Sequence, residues 1–257
     1  MKNYHAPAGS VLRLENGSES CAVDLYSQEG FEMLSNLWIK VGAERRAMYD
    51  VSWLGRPIIQ FPTDIVAIQE LLWRIQPDVV IETGVAHGGS LVLSASILEL
   101  VGKGKVVAVD IEIRPHNRAA IEEHPLAHRI ELIEGSSIDK TTVAAVRRAV
   151  GDAKTVAVFL DSNHTEEHVF RELELYGEIV TPGSYLVAHD GAQAWVSEIP
   201  RGKTEWKNDH PLAAIHRYVA LHPEYKIEPY WTRLGITSSP DGWLKKAGPS
   251  PSMQNER

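Results

Sequence analysis

The chain predicts an α/β fold: a mostly parallel, seven-stranded sheet with helices on both faces and an antiparallel hairpin at its C-terminal end. Three observations carry this reading. Short β-branched runs alternate with helical stretches from residue 63 onward, which is the signature of parallel crossovers. Those runs are apolar on both faces, as strands covered on each side require. The last two runs are separated by a turn signal and read as a hairpin.

The elements follow in order. Ile65, Ile68, Leu72 and Ile75 recur at helical spacing, with Thr63 expected as N-cap and Pro77 closing the helix. Strand-like "DVVIE" precedes helical "SLVLSASILELV", and "KVVAVD" precedes "NRAAIEEH". Then come "RIELIEG", "TTVAAVRRAV", "TVAVFLD", "EEHVFRELELYGEIV" and "SYLVAHD". After Asp190 the polar stretch "GAQAWVSEIPRGKTEWKNDHP" is longer than an ordinary connection. It reads either as a lid, with Trp195, Arg201, Lys203 and Trp206 facing a ligand, or as a solvated loop with incidental aromatics. A helix "LAAIHRYVALH" follows, and "YKIEPYW" and "WLKK" flank the turn "SSPDG". Residues 61–246 are therefore expected to form the main domain. Residues 1–60 show weak periodicity and read as an N-terminal extension or a partly helical cap over a pocket. Residues 247–257 are expected to be disordered.

Composition narrows the function classes. At 257 residues, 44% hydrophobic and 23% charged, the chain fits one ordinary globular unit. No segment approaches the roughly 18 uninterrupted apolar residues of a membrane span. The formal charge of −8 opposes a phosphate backbone, so no nucleic-acid partner is expected. A start without an apolar signal core, and a single cysteine, Cys21, point to a reducing cytoplasm.

The chemistry gathers at strand ends. Gly84, Gly88 and Gly89 allow a tight turn with close ligand approach, and Ser90 is placed to begin a helix. A dinucleotide fingerprint would need glycine where Ala86 stands, which weakens a nicotinamide-cofactor reading. Glu82 adds a carboxylate that would repel phosphates and suit the cationic amino acid portion of S-adenosylmethionine. Asp110 ends the next strand about 20 residues later, where a carboxylate accepts ribose hydroxyls. The small-residue turn from Gly135 to Ser137 could bracket the adenine.

Asp161 ends the fourth strand, and the pair His189 and Asp190 ends the fifth. Neighbouring strands would converge these groups, and such oxygen donors with room for water suit Mg²⁺. Deprotonation of an alcohol for attack on a methyl sulfonium is helped by a Lewis acid and a nearby base. His164 is the candidate base, since an imidazole ordinarily titrates near pH 6.5. His164 and His168, four apart, could instead join Asp161 in an iron-binding facial triad. A non-haem iron oxygenase and a non-catalytic donor-binding module thus stay open as alternatives to methyl transfer.

The runs "WLGRPIIQFPTDIVAIQELLWRIQPDVVIETGVAHGGS", "VVAVDIEIRPHNRAAIEEHPLAHRIELIEGSSID", "FLDSNHTEEHV" and "TPGSYLVAHD" resemble the cephalosporin hydroxylase and rhamnosyl O-methyltransferase family, over roughly Trp53 to Lys246. The resemblance implies a Rossmann-like class I methyltransferase fold and Mg²⁺-assisted O-methylation of a sugar, glycoside or natural-product hydroxyl. By motif position, the turn Gly84 to Ser90 and Asp110 would contact S-adenosylmethionine, with Asp161 beside them. Asp161 and Asp190 would match metal positions, and so would the residue before Asp190. That residue is a carboxylate in some family members and His189 here, which could ligate through nitrogen, act as a base or orient the acceptor. A homo-oligomer is compatible with this reading.

Overall fold

The computed structural model describes residues 3–248. Most of the tail expected to be disordered, from residue 249 on, lies outside the described residues. The chain opens with an antiparallel hairpin, β1 (Val11–Asn16) against β2 (Glu19–Asp24), followed by the 17-residue helix α1 (Gln28–Glu44). This hairpin was not anticipated, although Asn16-Gly17 stands between the alternating Leu12, Leu14 and Cys21, Val23, which pair across it. A two-residue pair, β3 (Ser52–Trp53) and β4 (Arg56–Pro57), leads into α2 (Pro62–Ile75). Pro62 occupies the first turn, where its missing N–H costs nothing. Thr63 is therefore not the cap; its hydroxyl donates to the Ile236 carbonyl.

Alternation then runs as expected: β5 (Val79–Thr83), α3 (Gly89–Val101), β6 (Lys105–Asp110), α4 (Pro115–Glu122), β7 (Ile130–Glu134) and α5 (Lys140–Val150). It continues with β8 (Val156–Leu160), α6 (Glu166–Gly177), β9 (Tyr185–Ala188), α7 (Pro211–Leu221), β10 (Tyr225–Ile227) and β11 (Trp243–Lys246). The seven strands lie in the order β10-β11-β9-β8-β5-β6-β7. Strands β5 to β9 pair in parallel, while β11 runs antiparallel to both β9 and β10.

Every residue of β5 and β8 is buried, and successive residues face opposite layers. Val80 joins Leu71, Leu91 and Leu98 beneath α2 and α3. Ile81 joins Val146, Leu173 and Tyr218 beneath α5, α6 and α7. The chain leaves β5 towards β6 on one side while β8 fills the other. A crevice therefore opens at the carboxyl ends of β5 and β8, the switch point where such sheets bind ligands.

The long stretch after β9 is not an open loop. It forms short 3-10 helices at Gly191–Val196 and Thr204–Lys207, and Ala192 and Val196 bury against Ile39 of α1 and Phe61. The run "YKIEPYW" is a strand only to Ile227, because Pro229 cannot donate to a ladder. Trp231 instead packs between Tyr185 and Trp243. Among the described residues no helix is long and apolar enough to cross a membrane.

Candidate active site

The β5–α3 turn is shaped by close approaches. Gly84 has φ 91°, and a Cβ there would lie 2.0 Å from the Asp161 carbonyl oxygen. The two strand ends can touch only because this residue is glycine. Val85 N–H donates to Asp110 Oδ2 at 2.8 Å and Glu112 N–H to Oδ1 at 3.1 Å. A carboxylate has about four lone-pair sites, so Asp110 keeps acceptor capacity for a ligand.

A cavity of about 260 Å³ lies over this turn. Of the residues expected to bind a donor, Gly84, Ala86, Gly89, Ser90, Asp110 and Asp161 line it. Gly88 does not; it caps α3 from behind in the left-handed conformation, packed against Ile121. Ser137 is also withdrawn: its hydroxyl lies 3.1 Å from His168 Nε2 and its carbonyl accepts the Tyr176 hydroxyl at 3.0 Å. Sequence reasoning missed Tyr49 and Pro57 to Gln60, which also line the cavity; His87, within the expected turn, lines it too.

Glu82 differs most from expectation. It lies within β5, one residue before the strand ends, and points into the layer under α3, where it accepts the Ser90 hydroxyl. Its Oε2 has no partner among the described residues. Burial raises the carboxyl to about 8, although the Ser90 bond opposes this. Glu82 is thus a protonated anchor for the start of α3 and no pocket carboxylate. Because its folded value exceeds the usual 4.5, the folded state holds a proton that the unfolded chain releases. The resulting contribution makes stability fall as pH rises from 4.5 to about 8. Glu82→Gln is expected to flatten that decline, read by thermal melting across the same range.

Beside the turn, one ligand atom from each of Asp161, His164 and Asp190 lies within 4.8 Å of the others. β8 and β9 deliver the acids, and Asp190 adopts φ 59°, a left-handed conformation that aspartate tolerates better than most residues. His164 Nδ1 sits 2.9 Å from Asp190 Oδ2. Removal from bulk water would lower this imidazole, yet the Asp190 charge and hydrogen bond, with Asp161, outweigh it and raise it to about 9. Asp190 is held below the usual carboxylate range: burial opposes ionisation, but the His164 charge prevails. Burial and then the Asp190 charge push Asp161 well up.

This corner fits a divalent cation. Burial and like charge disfavour the Asp161 anion and Asp190 leans on the His164 imidazolium, so a cation between the carboxylates would relieve both. The two oxygen donors suit Mg²⁺, whereas a nitrogen donor is more usual for transition metals, which leaves His164 for another task.

His189 is not brought into this group. It is 4% exposed, its ring meets Phe159 edge-on at 6.1 Å, and Nδ1 lies 2.9 Å from Ser239 Oγ. Burial lowers its pKa to about 4, so it stays neutral. His189 thus orients the β9 end from within the core, and the geometry offers it neither to a metal nor to an acceptor proton. His168 contacts the Ser137 and Ser162 hydroxyls, which leaves the facial triad without its second histidine.

A second cavity of about 450 Å³ adjoins the corner, with His164 and Asp190 at one end. Ile39, Met48, Phe61, Val196 and Trp206 make it largely apolar, and Arg46 and Arg201 also line it. Of the four residues expected to face a ligand from the lid, Arg201 and Trp206 line this cavity. Lys203 lies over the Trp206 ring, and Trp195 packs into the cluster around Ile39.

Comparison with known proteins fits this geometry. The profile described as "Rhamnosyl O-methyltransferase/CmcI" matches residues 45–247. The chain belongs to this family. Within the rhamnosyl O-methyltransferase/CmcI family, the rhamnosyl O-methyltransferase of Mycobacterium leprae is 31% identical over 198 residues, covering 75% of this chain and 82% of that protein. The same-named protein of Mycobacterium tuberculosis is 31% identical over 190 residues, covering 71% and 72%. Among solved structures, CmcI with Mg and SAM superposes with a TM-score of 0.55 at 17% identity over 78% of each chain. The O-methyltransferase from Bacillus cereus in complex with SAH gives 0.50 at 18% identity, over 79% of this chain and 84% of that one. These likenesses show a Rossmann-like methyltransferase fold, with the C-terminal antiparallel hairpin in place.

Proposed function

We propose that this chain transfers a methyl group from S-adenosylmethionine to a sugar hydroxyl, with the reacting atoms meeting at Asp161, His164 and Asp190. Family membership makes it an S-adenosylmethionine-dependent O-methyltransferase. The observation that carries the finer reading is that two cavities, one over the β5–α3 turn and one lined by α1, both open onto the same acid and imidazole cluster. The smaller takes the donor nucleoside, with Asp110 on the ribose; the larger takes the acceptor. The sugar is supported by the names of the mycobacterial relatives.

A divalent cation bound by Asp161 and Asp190 would supply Lewis acidity at the acceptor oxygen. The chain's own residues do the rest. Asp190 holds His164 Nδ1–H, which leaves Nε2 to take the hydroxyl proton. The walls around Tyr49 and Gln60, which line both cavities, align acceptor and donor; such alignment contributes roughly 7–11 kcal/mol when well achieved. The segment up to residue 60 acts as a cap on the acceptor cavity through α1, with residues 61–246 as the catalytic domain.

For His164 to accept a proton, its raised pKa must come down, and a cation offsetting the two acids would do that. The His164 ring is expected to titrate near pH 9 in chelator and at least about one unit lower in saturating Mg²⁺. Imidazole NMR against pH checks this, and an unmoved titration removes the base assignment. The overall reading is tested by mass spectrometry of sugars and glycosides incubated with labelled donor. Gain of one methyl mass, abolished by chelation, is expected. Product formed only with Fe²⁺ and oxygen would favour an oxygenase, and donor binding without product would favour a non-catalytic module.

A further inference from the structure

The turn under the donor cavity carries an alanine where backbone sterics favour glycine. Ala86 has φ 45°, in the left-handed region that disfavours any residue with a Cβ. Two side chains from distant elements hold it there. Asn117 of α4, 3% exposed, donates from Nδ2 to the Ala86 carbonyl at 2.7 Å. Arg56 of β4 donates to the next carbonyl, that of His87, from Nε at 2.9 Å and from Nη2 at 2.5 Å. The same Nη2 lies 3.2 Å from Asn117 Oδ1, so the two side chains brace each other.

β4 reaches the turn because Gly89 has no side chain; a Cβ there would lie 2.2 Å from the Pro57 carbonyl oxygen. Since a trans peptide sets N–H opposite C=O, fixing the Ala86 carbonyl on Asn117 turns the His87 N–H to the other side of the turn. The planar guanidinium fork makes two converging bonds to one oxygen, a fixed geometry that a lysine cannot reproduce. None of these contacts involves the acid and imidazole corner.

We propose that Arg56 and Asn117 are positioning residues for the methyl donor: they clamp the Ala86 and His87 peptides in the left-handed turn on which the donor rests. The inference depends on reading the smaller cavity as the donor site. It makes the strand pair before α2 part of donor binding, so the donor site draws on residues outside the 61–246 domain.

The test is calorimetric titration of S-adenosylhomocysteine into the full chain with Mg²⁺. Arg56→Lys is expected to weaken binding about tenfold, the loss of one charge-assisted bond. In kinetics it raises the donor KM and leaves kcat at saturating donor within about twofold. Adding Ala86→Gly to Arg56→Lys is expected to restore affinity to within about threefold, because glycine adopts the left-handed turn without the clamp. A general structural defect would not be rescued in this way. Asn117→Ser, which removes the other half of the clamp, is expected to show the same loss and rescue. Unchanged affinity in both single variants, or losses that Ala86→Gly leaves in place, would overturn the inference while donor binding by the unaltered chain still stands. An unaltered chain that binds no S-adenosylhomocysteine would defeat the functional reading and the inference with it.

Discussion

Asp161→Ala is expected to lower turnover by about 10²- to 10³-fold while S-adenosylmethionine affinity stays within about threefold. The carboxyl belongs to the group formed with His164 and Asp190, and the turn beneath the donor is fixed by other contacts: Val85 on Asp110, Arg56 on His87 and Asn117 on Ala86. On the proposed reading, removing it deletes an oxygen donor to the cation without loosening that turn. Calorimetry gives the donor affinity and steady-state kinetics the turnover. Lost donor affinity with normal turnover of the bound fraction would move Asp161 from the metal corner to the donor site.

Gly84→Ala is expected to destabilise the fold by at least about 3 kcal/mol, lowering the melting temperature by roughly 6–12 °C. Two effects add. The residue has φ 91°, and the new carbon would lie 2.0 Å from the Asp161 carbonyl oxygen and 2.6 Å from its carbon. Backbone on both sides must shift, separating β5 from β8 where the site is assembled. Gly55→Ala isolates the conformational part: φ is 86° there, and nothing lies within 4 Å of the added carbon. A loss of only about 1 kcal/mol is expected for it. Equal melting temperatures for the two variants would show that strand-end crowding adds nothing.

The sheet was legible because each of its buried strands is a short apolar run with a helical stretch after it, a pattern set by local burial. Asp110, Asp161 and Asp190 were legible for the same reason: an acid at the end of such a run stands at the sheet's carboxyl edge. What the pattern did not carry was side-chain direction at those edges. Glu82 is still inside its strand, so the period of two sends it under α3, whereas Asp161 follows the last strand residue and lines the crevice. His189 is drawn inward by Ser239, a partner fifty positions away that no local spacing reveals. The wall from Pro57 to Gln60 and the 3-10 helices after Asp190 form through packing on α3 and α1. In the sequence they show only polar or weakly periodic residues. The pairing of His164 with Asp190 is likewise a tertiary contact, and it turns a histidine expected near neutrality into one protonated at rest.

That pairing has a consequence for the protein stripped of metal. Without an internal counterion, a pocket built from two carboxylates would hold bare anions side by side and swell or close when emptied. Here burial and the neighbouring charge push Asp161 up while Asp190 rests on the His164 ring, so on the proposed reading the seat without its ion is less charged than two bare carboxylates. With Asp161 and Asp190 holding the cation as proposed, loading would exchange one positive partner of Asp190 for another and would free the histidine to take a proton.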